Sequence, residues 1–203
     1  TEPVLTSFYL ENDKLTEVHP HLEGRSLLGN IYVGKVKHVV KNIDAAFVEI
    51  AGGQTCYLPF KEAQAPVLTN RRCDGRLLAG DEILVQVMRD ALKTKEPALT
   101  AKISLEGRLA AVVLDGGHGV RYSKQLPKEA ADHFREVLQS VTVPDGMTLV
   151  VRTAAGDAAD TALLREANAL LEKAQKLISV GRSRTVFSLI SEERPGWLTE
   201  LLS

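Results

Sequence analysis

The sequence is poor in cysteine and in aromatic residues, and it has no long apolar run. Its two cysteines, Cys56 and Cys73, form no CxxC pair, so neither a zinc knuckle nor a disulfide framework is indicated. No apolar stretch approaches the roughly 20 residues that cross a bilayer, and the N-terminus lacks the basic and apolar regions of a signal peptide. We therefore expect a reducing, cytoplasmic setting.

An excess of positive charge is also lacking. The 203 residues include 25 Lys and Arg against 26 Asp and Glu, which excludes a protein that is basic over its whole surface. The balance is uneven, because residues 25–43 carry four bases and no acid, whereas residues 129–173 carry eight acids and four bases. Any polyanionic partner must therefore meet a local basic patch.

The first half of the chain has the pattern of short β-strands. Residues 4–18 predict a hairpin with a turn at residues 11–14, and His19-Pro20-His21 is expected to end it. Five further runs rich in β-branched residues follow, at residues 31–40, 45–50, 55–58, 82–88 and 97–103. Several short strands at this spacing predict a small barrel.

The second half alternates strands and helices. Strands are predicted at residues 109–114 and 147–151, and helices at residues 127–141 and 160–180, the second closed by Gly181. The apolar stripe of the long helix indicates core packing more than a partner helix. A strand at residues 185–190 and a helix beginning in residues 195–202 complete the prediction.

Two aromatic residues on neighbouring predicted strands are the first candidate site. Phe47 and Tyr57, flanked by Lys35 and Lys37, have the composition of a platform on which single-stranded bases stack beside bound phosphates. The alternative is that both rings fill the barrel core.

Arg152-Thr153 at a predicted strand end is the second candidate site. Ala154-Ala155-Gly156 and a helix start follow it, and a guanidinium beside a hydroxyl and free backbone N–H groups can bind a phosphate. The alternative is a pair of ordinary surface residues.

No catalytic constellation is found. The five histidines show no metal-ligand spacing and no link to carboxylates, and the sequence has neither a GxSxG elbow nor a DxD pair. Asp157 and Asp160 are expected to be residues of a helix start. We therefore assign no catalytic residue and no metal ligand.

Motifs spread over nearly the whole chain resemble the bacterial ribonuclease E/G family. They are GNIYVGKV at 29–36, DAAFVEI at 44–50, CYLPF at 56–60, Lys95, Leu99-Thr100, ISLEG at 103–107, PDGM at 144–147 and VRTAAG at 151–156. The resemblance implies an α+β multidomain protein. Its parts are a split RNase H-like domain (residues 1–24 and 185–203), a five-stranded OB-fold barrel of the ribosomal protein S-one type (25–103) and an α/β 5′-sensor domain (104–184). The hairpin and the segment after residue 185 are expected to pack together.

The resemblance also implies roles for individual residues. Phe47, Tyr57 and Lys95 match RNA-contacting positions of the barrel, although a Phe is common where Tyr57 stands. Arg152 and Thr153 match the residues that bind the 5′ monophosphate of RNA, and Gly107 matches a glycine of that pocket.

One motif departs from the family pattern. Relatives often have Ser-Arg-Arg-Ile where this chain has Ser123-Lys124-Gln125-Leu126, so Lys124 supplies only a point charge to the phosphate site. We expect weakened sensing of the 5′ monophosphate.

The function implied is the RNA-binding N-terminal region of an endoribonuclease of RNA processing and decay. The family's Mg²⁺-binding aspartates belong to a DNase I-like domain expected after Ser203, and its zinc-linking CPxC segment, implicated in homo-oligomerisation, is expected further on. The chain alone is then expected to bind single-stranded RNA without cutting it. The alternative is a complete, non-catalytic RNA-binding or ribosome-associated module; a metabolic enzyme is disfavoured because no cofactor fingerprint is present.

Overall fold

The structure is a computed structural model that describes residues 5–11, 14–21, 26–92 and 94–193. Its first element is the predicted hairpin, formed by β1 (Leu5–Glu11) and β2 (Lys14–His21) as an antiparallel pair. The expected break at His19-Pro20-His21 is wrong, because Pro20 pairs with Thr6 within β2. Proline fits there because this strand is the edge of a two-stranded sheet.

Five strands close into a barrel. They are β3 (Ile31–Val40), β4 (Ala45–Glu49), β5 (Thr55–Pro59), β6 (Glu82–Arg89) and β7 (Ala98–Thr100). The order is β3-β4-β5-β7-β6, and β6 pairs back onto β3. The barrel predicted from the strand spacing is therefore confirmed, and its closed five-strand architecture is consistent with an OB-fold.

Alternate residues of these strands fill the barrel. The fully buried members include Val36, Val48, Leu58, Ile83 and Leu99. At Gly34 a Cβ would lie 2.5 Å from Val48 Cγ1, so glycine permits the close approach of the two strands there.

The strand predicted at residues 97–103 is divided in the structure. β7 ends at Thr100, and β8 (Ile103–Glu106) begins a second sheet. The chain bends between them because the backbone N–H of Ala101 donates to Glu62 O at 2.8 Å, and that of Lys102 donates to Thr100 Oγ1 at 3.0 Å. The single run predicted as one strand thus contributes one strand to each of two sheets.

The second sheet has four strands in the order β10-β11-β9-β8. β9 (Ala110–Leu114) and β11 (Thr148–Val151) confirm the two predicted strands. β10 (Val120–Tyr122) runs parallel to β11 and was not predicted, because three residues with a central Arg carry no clear alternation.

Two helices accompany this sheet. α1 (Lys128–Val137) continues into a 3-10 turn (Leu138–Ser140), and α2 (Asp160–Ser183) packs on β9. The stripe of α2 is core, as predicted, and its buried members are Leu163, Ala167, Leu170, Leu171, Ala174 and Leu177. Neither described helix is long and apolar enough to cross a membrane.

Gly181 does not close α2, contrary to the sequence prediction. It lies buried inside the helix, where a Cβ would lie 2.6 Å from Leu84 Cδ2 of β6. The glycine is needed for contact with the barrel. Ile31, Val33 and Leu84 of the barrel consequently share one hydrophobic core with the second sheet and α2.

The last described strand, β12 (Leu189–Ser191), is shorter than predicted and pairs with β3 of the barrel. Residues 185–188 form a turn instead, in which Phe187 has a φ of 70°. The strand that β12 pairs with is thus β3, and the expected packing of this segment against the hairpin stays a prediction. The helix predicted at residues 195–202 lies outside the described residues.

Candidate nucleic-acid interface

The aromatic pair, Phe47 and Tyr57, lies on the outer face of the barrel. Every second side chain of β4 and β5 is buried in the barrel, and these two rings occupy the alternate, half-buried positions. They are direct cross-strand partners with ring centroids 6.1 Å apart and planes at 64°, the edge-to-face geometry that aromatic rings prefer. The exposed His38 opposes Phe47 on β3, so three rings form one row across this face.

Two lysines of β3 flank this row, and each has an acidic neighbour. Lys37 Nζ lies 2.8 Å from Glu49 Oε2, while Lys35 opposes Glu49 on β4 and Glu82 on β6. Because the Lys37 side chain is 46% exposed, its ion pair contributes only about 0–1 kcal/mol. A phosphate can therefore replace Glu49 as the partner of Lys37 at little cost.

Lys95 lies in a tight turn that leads into β7. Leu92 and Lys95 exchange backbone hydrogen bonds of 2.9 and 3.1 Å, and the carbonyl of Pro97 accepts the N–H of Tyr57 at 2.8 Å. The Lys95 side chain is exposed. The turn thus places Lys95 beside β5, two residues from the peptide that pairs with Tyr57.

A second group of polar side chains forms where β11 ends. Arg152 Nη1 donates to Glu106 Oε2 at 2.5 Å and to the carbonyl of Gly107 at 3.0 Å, while the Arg152 backbone N–H donates to Leu109 O. Ser104 Oγ donates to Glu106 Oε1 at 2.6 Å. The guanidinium is thus held at the loop after β8, with 44% of its side chain exposed.

The residue after Arg152 carries a hydroxyl group that has a partner of its own. Thr153 Oγ1 and Ser123 Oγ lie 2.8 Å apart, and Ser123 Oγ also accepts the backbone N–H of Gln125 at 3.3 Å. Lys124 and Gln125 are exposed beside them. The Arg152 cluster is defined here as Glu106, Gly107, Ser123, Arg152 and Thr153. It combines a guanidinium and two hydroxyls, which are groups that bind phosphate oxygens.

Glu166 of α2 holds the loop that carries Gly107. Its Oε1 accepts the backbone N–H groups of Leu109 at 2.7 Å and Ala110 at 2.9 Å. A Cβ on Gly107 would lie 2.3 Å from this oxygen and 2.9 Å from Ala110 O, so the loop needs glycine there. Sequence reasoning missed Glu166, although an acid three residues after Leu163 on the buried stripe of a helix is a recognisable signal.

The structure thus places the predicted Arg152 against the predicted Gly107. Thr153, the next residue, contacts Ser123 instead, and Lys124 is exposed next to Ser123. Sequence reasoning did not assign Glu106 and Ser123 to this site. The barrel residues Lys35, Lys37, Phe47, Tyr57 and Lys95 lie on or beside the outer face of the barrel, as a separate group.

One expectation about the histidines is wrong. His133 Nε2 lies 2.8 Å from Asp160 Oδ1, so a histidine does contact a carboxylate. The pair links α1 to the first residue of α2, where Asp160 is the helix-start residue that was predicted. Across residues 26–92 and 94–193 no group of three or more His, Cys, Asp or Glu side chains could hold a metal ion.

Both cysteines are free thiols. Cys56 is buried on the core side of β5, and this burial, with a smaller contribution from the charge of Glu96, raises the pKa of its thiol to about 12. Cys73 is half-buried in the loop before β6. The Cys56 thiol is therefore protonated and unreactive at neutral pH.

The fold defines a mixed α+β protein with a closed, OB-like barrel, which carries the aromatic pair, and an adjoining α/β unit, which carries the Arg152 cluster. The model of the Ribonuclease E/G family matches residues 104–201. The chain is 30% identical over 173 residues to Ribonuclease E of a Nostoc species, an alignment that covers 84% of the chain and 25% of that relative. With Ribonuclease E of Escherichia coli it shares 29% identity over 171 residues, covering 81% of the chain and 16% of the relative. This chain belongs to the ribonuclease E/G family.

The same relationship extends to the second enzyme type of the family. Ribonuclease G of Escherichia coli is 29% identical over 171 residues, which cover 78% of the chain and 35% of that relative. The resemblance read from the motifs is thereby confirmed. The chain spans about a third or less of the length of these curated relatives.

Proposed function

We propose that this chain is an RNA-binding portion of a ribonuclease E/G-type endoribonuclease, acting in RNA processing and decay. Residues 25–103 bind single-stranded RNA, residues 104–184 sense the 5′ monophosphate, and residues 1–24 and 185–203 contribute to a split RNase H-like domain. The single observation that carries the proposal is the Arg152 cluster. In it the loop after β8 holds the exposed Arg152 guanidinium, and the adjacent Thr153 hydroxyl lies 2.8 Å from that of Ser123.

The barrel face suits a single strand of RNA. Phe47 and Tyr57 are half-buried, so they are fixed by the barrel and still offer ring surface to a base. Stacking of this kind contributes about 1–3 kcal/mol per base and tolerates any base, because every base has a π-face. Lys35, Lys37 and Lys95 would meet the backbone phosphates of the same strand.

The Arg152 cluster suits a terminal phosphate better than an internal one. A 5′ monophosphate carries a charge of about −1.5 to −2 at neutral pH and exposes three oxygens, whereas a backbone phosphodiester carries a single charge. Arg152 would bind two of those oxygens, and the hydroxyls of Ser123 and Thr153 would donate to them. Lys124 adds a nearby positive charge.

We assign hydrolysis to none of the residues that the structure describes. The family implies Mg²⁺, yet the described part of the chain offers no group of three carboxylate, histidine or cysteine ligands for a cation. Its own residues bind and orient RNA. Cutting of the phosphodiester is proposed for other parts of such an enzyme.

The proposal is tested by the preference of the 203-residue chain for a 5′-monophosphorylated oligoribonucleotide over its 5′-hydroxyl counterpart. Arg152→Ala should lower that preference roughly tenfold or more, because charge-assisted hydrogen bonds to the phosphate are lost. Arg182→Ala, an exposed arginine near the other end of α2, is the matched control and should not alter it. A preference that the wild-type chain shows and that persists unchanged in Arg152→Ala would overturn the sensing role. Robust Mg²⁺-dependent cleavage by this chain alone would overturn the division of labour.

A further inference from the structure

The Arg152 guanidinium already holds an anion that belongs to the chain itself. The Glu106 carboxylate accepts Arg152 Nη1 through Oε2 at 2.5 Å, and its other oxygen accepts the Ser104 hydroxyl at 2.6 Å. Glu106 is the last residue of β8, directly before Gly107. A carboxylate thus occupies the arginine donor on which the proposed phosphate site depends.

We propose that Glu106 is a specificity-determining residue that competes with the RNA 5′ phosphate for Arg152 and lowers the preference for monophosphorylated ends. This inference rests on the proposed 5′-phosphate site. In that site Glu106 acts as an internal anion, and the terminal phosphate must displace its carboxylate or bind beside it.

The exposure of the pair makes the competition possible. The Glu106 side chain is 58% exposed and the Arg152 side chain 44% exposed, so the carboxylate can rotate into solvent without a buried charge being left behind. Exposed ion pairs contribute little to stability, so their exchange for another anion costs little in the fold.

The charges of the two anions explain the direction of the effect. A phosphate that binds beside Glu106 experiences repulsion from the carboxylate, and one that replaces it must first break the Arg152 ion pair. A 5′-hydroxyl end carries no negative charge that Arg152 could attract, so its binding is independent of Glu106. Removal of the Glu106 charge should therefore strengthen binding of one kind of RNA end only.

The test uses Glu106→Gln in the 203-residue chain. The amide oxygen can still accept the hydrogen bond from Arg152, and the amide NH2 can donate to the Ser104 hydroxyl oxygen, so the variant removes the charge and keeps both contacts. We expect the 5′-monophosphorylated oligoribonucleotide to bind roughly two- to tenfold more tightly, with the 5′-hydroxyl form unchanged. Glu172→Gln, which removes an exposed acid from the middle of α2, should change neither affinity. Thermal unfolding of all variants checks that the fold is retained.

The outcomes separate this inference from the function on which it rests. If Arg152→Ala lowers the preference for the monophosphate but Glu106→Gln leaves it unchanged, Glu106 does not compete and only the inference is overturned. If Glu106→Gln weakens monophosphate binding, Glu106 positions Arg152 and the inference is also overturned. A preference absent from the wild-type chain but gained in Glu106→Gln supports the inference. A preference absent from every variant overturns both.

Discussion

Replacement of Phe47 by Ala removes one ring from the outer face of the barrel and leaves the core intact. Phe47 lies opposite Tyr57 and His38, whereas its neighbours Ala46 and Val48 are fully buried on the other side of β4. The substitution therefore separates the binding role of the ring from a packing role.

The structure sets different magnitudes for binding and for stability. Loss of the edge-to-face contact with Tyr57 should cost about 0.5–1.5 kcal/mol of folding free energy. Truncation of a fully buried residue such as Leu58 would cost about 2–5 kcal/mol. If the ring stacks on a base, RNA binding should weaken by about 1–3 kcal/mol, which is roughly 5- to 150-fold in Kd.

The assay is a fluorescence anisotropy titration with a 5′-hydroxyl single-stranded oligoribonucleotide, so that the Arg152 cluster contributes no phosphate contact. Phe47→Trp keeps a stacking surface and should retain affinity. Leu78→Ala removes an exposed apolar side chain from a loop and should have no effect. Unchanged affinity in Phe47→Ala, together with the stability loss of a core residue, would refute the stacking role.

Three further predictions concern close packing and burial. Gly107→Ala should destabilise the chain by about 1–3 kcal/mol in urea unfolding, because its Cβ overlaps Glu166 Oε1 and Ala110 O; an unchanged midpoint would contradict this. Cys56 should resist alkylation at about pH 8, where Cys73 reacts, until the chain is unfolded. Because burial raises the pKa of Cys56 from its ordinary 9.0 to about 12, the folded state keeps a proton that the unfolded state releases. Stability should therefore fall as the pH rises above about 9, and Cys56→Ala should lessen that fall; identical pH profiles would contradict the assignment.

The barrel could be predicted from sequence because its strands alternate between two environments. In β4 and β5 the buried residues Ala46, Val48, Cys56 and Leu58 alternate with half-buried ones, and turn-forming residues separate the two runs. The same rule failed at residues 97–103, where β-propensity is continuous but the backbone leaves the barrel at Ala101 to bond with Glu62. A contact across 39 residues decides that bend, and no local pattern contains it.

The candidate site was predictable to a similar extent. Arg152 and Thr153 stand at a strand end before a helix, which is a local signal for an anion site. Their partners lie far away along the chain, since Ser123 is 30 residues from Thr153, and Glu106 is 46 residues from Arg152. The order of the strands in the second sheet brings these residues together, so only the folded chain reveals that Arg152 is already paired with a carboxylate.

The helix α2 explains how the two proposed RNA-binding groups are held relative to each other. Near its start, Glu166 fixes the loop beside Arg152, and near its end Gly181 packs against Leu84 of the barrel. These residues are separated by 15 positions, which is about 22 Å along an α-helix. Because buried side chains of α2 join the barrel and the second sheet in one core, the helix acts as a rigid spacer between them. An RNA whose 5′ phosphate occupied the Arg152 cluster would therefore meet the aromatic pair at a fixed distance along its strand, which links recognition of the end to the register of the bases on the barrel.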